Sequence, residues 1–103
     1  MYEFLVGLEV SNQELYFEYR AAMTPILTSY GGGFGYDFVV AEVLQSAVDV
    51  PINRVFTINF PSKIVADNFF ADEQYLKVKT QYFDASVAHT TIISSYEKDA
   101  KIP

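Results

Sequence analysis

Ser29-Tyr30-Gly31-Gly32-Gly33-Phe34-Gly35 holds four of the chain's five glycines and divides a helical pattern from an alternating one. Glycine ends a helix in a left-handed turn without a Cβ penalty. The cluster therefore reads as a reversal that returns the first helix onto a sheet. Upstream, Leu15, Tyr19, Ala22, Ile26 and Tyr30 recur at spacings of three and four, the stripe of one helix face. Pro25 falls inside the stripe and lacks a backbone donor, which predicts a kink or break near Thr24. The helix start is marked by Ser11-Asn12-Gln13-Glu14, a capping-box pattern with Ser11 as the cap, flanked by Val10 and Leu15 as a hydrophobic staple. Before it, Tyr2, Phe4, Val6, Leu8 and Val10 alternate with Glu3, Leu5, Gly7 and Glu9, the period of a strand.

Downstream of the glycines, Phe34, Tyr36, Phe38 and Val40 alternate as a second strand that the pattern lets run to Leu44. Gln45 to Asn53 has no clean period and reads as a hairpin-like connection, with room for a bulge. Arg54, Phe56, Ile58 and Phe60 form a third strand, which Pro61 stops because it cannot donate to the ladder. Ser62 is a cap for a short helix through Phe70, and Asp72 for another through Tyr82. The β-branched run Ser86 to Tyr96 is the last strand. The order β-α-β-β-α-β with right-handed crossovers gives an α+β, ferredoxin-like domain: a four-stranded antiparallel sheet with its helices on one face. Residues 1–97 form this single domain, and 98–103 are a charged tail expected to fray.

The chain of 103 residues is half hydrophobic and 17% aromatic, so its core is largely ring packing. Its formal charge of −6 repels phosphate backbones and anionic lipid, which argues against nucleic acid and membrane partners. The absence of Cys removes disulfides and thiolate chemistry and fits a reducing compartment. Without a basic start, a cleavage site or a long apolar run, the expected location is cytoplasmic. Helices cover only one sheet face, yet the residues left for the other include Leu5, Val39, Ala41, Val43 and Val55 or their aromatic neighbours. A face this apolar needs a cover, and a second copy related by a two-fold axis supplies one, so a homodimer is expected.

Pro25 with Tyr30-Gly31-Gly32, then Phe60-Pro61-Ser62, then Phe69-Phe70 and Tyr75, stand in the order of a small bacterial family. From Tyr2 to Glu97 the chain resembles the domain-of-unknown-function family 1330, within the dimeric α/β-barrel superfamily. That resemblance implies two ferredoxin-like sheets facing each other. It also implies kinship with cofactor-free oxygenases, haem-binding enzymes and muconolactone-type isomerases. Gly33 stands where the family commonly has a basic residue, Asn59 where it has an acidic one, and Glu73 where it has proline.

The candidate chemistry is sparse. His89, the only histidine, would serve as a general base or haem ligand if it faced a cavity, and is otherwise a hydrogen-bonded strand residue. Asp37, flanked by Tyr36 and Phe38, is a second candidate proton carrier or else the salt-bridge partner of Arg54 on the adjoining strand. Tyr19, Arg20, Tyr30 and Arg54 are candidate ligand contacts in a pocket between helix and sheet. Gly33-Phe34-Gly35-Tyr36-Asp37-Phe38 echoes an RNA-binding signature without its basic lead residue, and on the second strand instead of the third. The glycine run follows a helix, not a strand, so it is no dinucleotide fingerprint. No metal-ligand spacing and no nucleophile motif appears, and nothing in the pattern asks for a cofactor. The expected function is binding of a small, partly apolar molecule, with a cofactor-independent oxygenase or isomerase using His89 or Asp37, or a structural or regulatory dimer without a pocket, as alternatives.

Overall fold

The computed structural model describes residues 1–98. Strand β1 (Tyr2–Val10) leads into helix α1 (Gln13–Ser29), followed by β2 (Gly33–Val39) and β3 (Arg54–Phe60). Helices α2 (Lys63–Phe70) and α3 (Glu73–Val78) come next. A π-helical turn (Lys79–Phe83) and a last helical turn (Asp84–Ser86) extend α3 into β4 (Val87–Glu97). The strands form one antiparallel sheet in the order β2-β3-β1-β4, the ferredoxin-like arrangement.

The core lies between the helices and one sheet face. Val6, Leu8, Val10, Phe56, Ile58 and Phe60 meet Tyr16, Tyr19, Met23 and Leu27 of α1, with Ala66, Phe69 and Tyr75 from the second helical layer. Rings dominate the packing: Phe69 lies 4.4 Å from Tyr75 and 5.4 Å from Phe60, centroid to centroid. Such pairs add about 0.5–1.5 kcal/mol each beyond their burial.

Several local expectations are corrected. Asn12, not Ser11, caps α1: its Oδ1 accepts from the Leu15 N–H at 3.0 Å. Ser11 instead donates both its N–H and its hydroxyl to the Ser86 carbonyl, tying the helix start to the root of β4. The buried stripe of α1 is Tyr16, Tyr19, Met23 and Leu27, one position beyond the expected one at all but Tyr19. Helix α1 runs unbroken through Pro25. A proline removes one intrahelical bond, and the packed Met23 and Leu27 on either side hold the helix together. Gly31 then reverses the chain at φ +74°, after Tyr30 has closed the helix end.

Strand β2 stops at Val39 instead of reaching Leu44. The bulge lies inside β2, not in the connection: Phe34 pairs with Ile58, but Asp37 pairs with Phe56, so one extra residue sits at Gly35–Tyr36. The Tyr36 N–H freed by the bulge donates to Thr57 Oγ1 at 2.8 Å. Beyond it, Phe38 opposes Val55 on the open face, whereas Val39 opposes Arg54 on the helix side. Val39 is therefore not part of the open face, and Tyr36 and Phe38 stack there instead, 5.8 Å apart.

Residues 40–53 form a long connection that folds back over this open face. Ile52 lies so close to β1 that a Cβ on Gly7 would sit 3.1 Å from it. Asn53 anchors the connection: Oδ1 accepts from Val10 N–H at 2.8 Å and Nδ2 donates to the Val10 carbonyl at 2.9 Å. A groove of about 660 Å³ remains on this side, lined by Val43, Leu44, Val48, Ile52, Val55 and Ile93. At the other end of the face, Glu3 is buried to 2% exposure and accepts from the Tyr96 hydroxyl at 2.7 Å and Lys98 Nζ at 3.4 Å. Lys98, assigned above to the fraying tail, exchanges two 2.8 Å bonds with Met1; the rest of that tail, 99–103, lies outside the described residues. No helix among the described residues is long and apolar enough to cross a membrane.

Candidate functional site

A cavity of about 550 Å³ opens between α1, the α3–π-turn segment and the sheet. Its apolar walls come from Val6, Leu8, Met23, Phe56, Ile58 and Phe70. The π-turn supplies Lys79 and Phe83 and is followed by Asp84, all on the wall. Single π-turns of this kind recur at functional sites. Lys79 Nζ and Asp84 Oδ1 pair across it at 2.8 Å.

Beside that pair, three tyrosines and an arginine supply polar groups to the wall. Tyr19 and Tyr75 share a hydrogen bond between their hydroxyls at 2.8 Å, both side chains nearly sealed from water. Burial pushes both phenols above their ordinary pKa, and does the same to Tyr16. Both stay protonated at neutral pH and act as hydrogen-bonding groups, not bases.

Arg20 sits at the head of the cavity. Its Nε donates to the Tyr16 hydroxyl at 2.9 Å, its Nη1 lies 3.3 Å from Asp37 Oδ2, and its guanidinium carbon lies 3.9 Å from the centroid of the Phe34 ring. Its Nη2 is buried with no hydrogen-bond partner among the described residues. Arg54 clamps Asp37 from the other side, Nε to Oδ1 at 2.7 Å and Nη2 to Oδ2 at 2.8 Å. The Arg54 bonds, with the Arg20 charge, hold the Asp37 carboxyl below its ordinary pKa, and Asp37 in turn raises Arg54. The three side chains carry two positive charges against one negative.

The structure thus brings Tyr19 and Arg20 to one cavity and attaches Asp37 and Arg54 to it through Arg20. Tyr30 is elsewhere: it packs against Phe69 and donates to Asp72 Oδ2 at 2.6 Å, raising its own pKa and lowering that of Asp72. His89 reaches the cavity rim, but its Nδ1 lies 2.7 Å from Glu9 Oε1, and the side chain is half exposed. Glu9 belongs to the odd-numbered face of β1, opposite the core, and His89 is its register partner. Tyr16 and Tyr75 were missed as polar lining groups. Starting the α1 stripe at Tyr16 instead of Leu15, with Tyr19, Met23 and Leu27 following at spacings of three and four, finds the first. No group of three potential metal ligands comes together among the described residues.

Known structures share this architecture. A protein of unknown function from Rhodopseudomonas palustris is 16% identical, with a TM-score of 0.80, covering 97% of this chain and 83% of its own. An uncharacterized NIPSNAP domain protein from Burkholderia xenovorans is 14% identical at TM-score 0.68, covering 100% and 99%. A provisionally named antibiotic biosynthesis monooxygenase from Nitrosomonas europaea is 18% identical at TM-score 0.59, covering 95% and 98%. At these identities the likeness establishes the fold. No match is found among curated proteins. The profile of the family described as "Domain of unknown function (DUF1330)" matches residues 4–96, nearly the whole described fold, and the chain belongs to that family.

Proposed function

We propose that the protein is a homodimer in which each subunit binds a small, partly apolar molecule in the cavity between α1, α3 and the sheet. The observation that carries this reading is the cavity itself: about 550 Å³ of ring-walled space with convergent hydroxyls and a guanidinium. That volume lies within the usual range for small-molecule sites, and apolar walls with a few fixed polar groups are their usual composition. It weighs against a purely structural dimer. The dimer is supported by the open sheet face, where Tyr36, Phe38, Ile93 and the 43–48 segment leave large apolar side chains exposed.

An oxygenase or isomerase mechanism would require a proton carrier in the cavity. Asp37 is ill suited, because two guanidiniums hold it ionised and lower its basicity. His89 is engaged by Glu9 at the far rim. The binding reading therefore takes precedence.

Native mass spectrometry of freshly purified protein tests both parts. The expected result is a dimer, carrying a non-covalent adduct or taking up a naphthalene-sized probe. A monomer refutes the dimer, and a protein that neither carries nor takes up such a molecule refutes the pocket. Phe38→Asp and Val55→Asp, which bury a charge in the proposed interface, are expected to yield monomers.

A further inference from the structure

We infer that the cavity's ligand is an organic acid: an apolar or aromatic body ending in a carboxylate, received by Arg20. This rests on the binding reading given above and names the class of molecule it takes.

The inference starts from an unspent donor. A guanidinium has five N–H groups. Arg20 uses Nε on Tyr16 and Nη1 on Asp37, while Nη2 is buried and donates to nothing among the described residues. A buried donor left without an acceptor is destabilising, and more so when it is charged. Arg20 lines the cavity, so an acceptor entering there, met by a turn of the guanidinium that brings Nη2 to it, would relieve that cost.

Charge decides which acceptor. Arg20 and Arg54 outnumber Asp37, leaving the cluster at +1 in a chain whose formal charge is −6. The other charged pair on the cavity wall, Lys79 with Asp84, is balanced within itself. Arg20 and Arg54 both lie 5.3 Å from the Tyr16 ring centroid, and Arg20 also rests on Phe34, in surroundings of low polarity where charge is weakly screened. One monoanion neutralises the cluster. A phosphate monoester, with a charge near −2, would overshoot it. A carboxylate is also planar and matches the guanidinium fork. Val6, Leu8, Met23, Phe56 and Ile58 would enclose the rest of the molecule.

The test is a matched pair, 1-naphthoate against 1-naphthamide, which differ in charge and hardly in shape. Titration calorimetry at low salt is expected to show the acid binding at least tenfold more tightly. In Arg20→Gln, with its fold checked by circular dichroism, the two affinities should converge. Asp37→Asn raises the cluster charge to +2 and should tighten naphthoate binding severalfold while leaving naphthamide unchanged, an outcome that partial unfolding cannot produce. Equal affinities in the unmodified protein, a preference that survives Arg20→Gln, or no gain in Asp37→Asn would each overturn the inference while leaving the pocket standing. Failure of both compounds to bind would remove the pocket reading, and the acid with it.

Discussion

The Tyr19–Tyr75 hydroxyl pair offers a sharp measurement of what fills the cavity. The two oxygens lie 2.8 Å apart, with only 5% and 4% of the residues exposed. Tyr19→Phe removes one hydroxyl without changing the ring, and the Tyr75 hydroxyl then loses its partner. An orphaned buried hydroxyl costs about 1–3 kcal/mol, so each single variant should lose about 2 kcal/mol. The double variant leaves no orphan and forfeits only the net bond, about 1 kcal/mol. It should therefore fall about 3 kcal/mol short of the sum of the singles. Urea denaturation followed by far-ultraviolet circular dichroism reads all four corners of the cycle. Each single variant should also melt about 8–16 °C lower, at the usual 4–8 °C per kcal/mol for a domain near this size. Costs that add to within about 0.5 kcal/mol would refute the reasoning, because they would mean that water from the cavity already satisfies each hydroxyl.

Asn53→Ala removes both side-chain bonds to the Val10 main chain and should cost about 2–3 kcal/mol, with faster exchange of the Val10 amide measured by NMR. Asp37 is held below its ordinary pKa, so its contribution is fully present above about pH 4 and is lost as pH falls through the lowered value. Asp37→Asn should accordingly flatten the acid limb of the stability curve. Tyr16, Tyr19 and Tyr75 are raised, so the folded state holds their protons longer than the unfolded chain. Stability should fall as pH rises past about 10, and three of the eight tyrosines should ionise only with unfolding when absorbance is followed at alkaline pH.

The order of strands and helices could be read from the residues because the strongest signals are local. Alternation in Tyr2–Val10 and Arg54–Phe60, the caps at Ser62 and Asp72, and the glycine reversal each act within a few positions. The misreadings arose where two local solutions compete. Ser11 and Asn12 are both good caps, and Ser86, seventy-five positions away, decides between them by engaging Ser11. Of the site, the Asp37–Arg54 pair was anticipated from strand adjacency and is present. The π-turn was not legible, since Lys79-Thr80-Gln81-Tyr82-Phe83 has nothing to distinguish it from an ordinary helix. Nor was the shortage of acceptors around Arg20, which is a property of the assembled neighbours and not of any one residue.

The extra residue at Gly35–Tyr36 works like a reading-frame shift in the sheet. With it in place, Asp37 joins Arg20 beside the cavity and Phe38 joins the opposite surface. Deleting a single residue there would restore the unbroken alternation and leave those assignments as they are, because the two bulged residues share the one place opposite Thr57 and Asp37 still meets Phe56. Flattening the bulge with every residue kept would instead slide Asp37 opposite Val55 and Phe38 opposite Arg54, sending a carboxylate to the apolar surface and an aromatic ring toward the arginines. The side that each later residue faces thus depends on the bulge and the residue count together: losing both at once changes neither surface, and losing the bulge alone changes both.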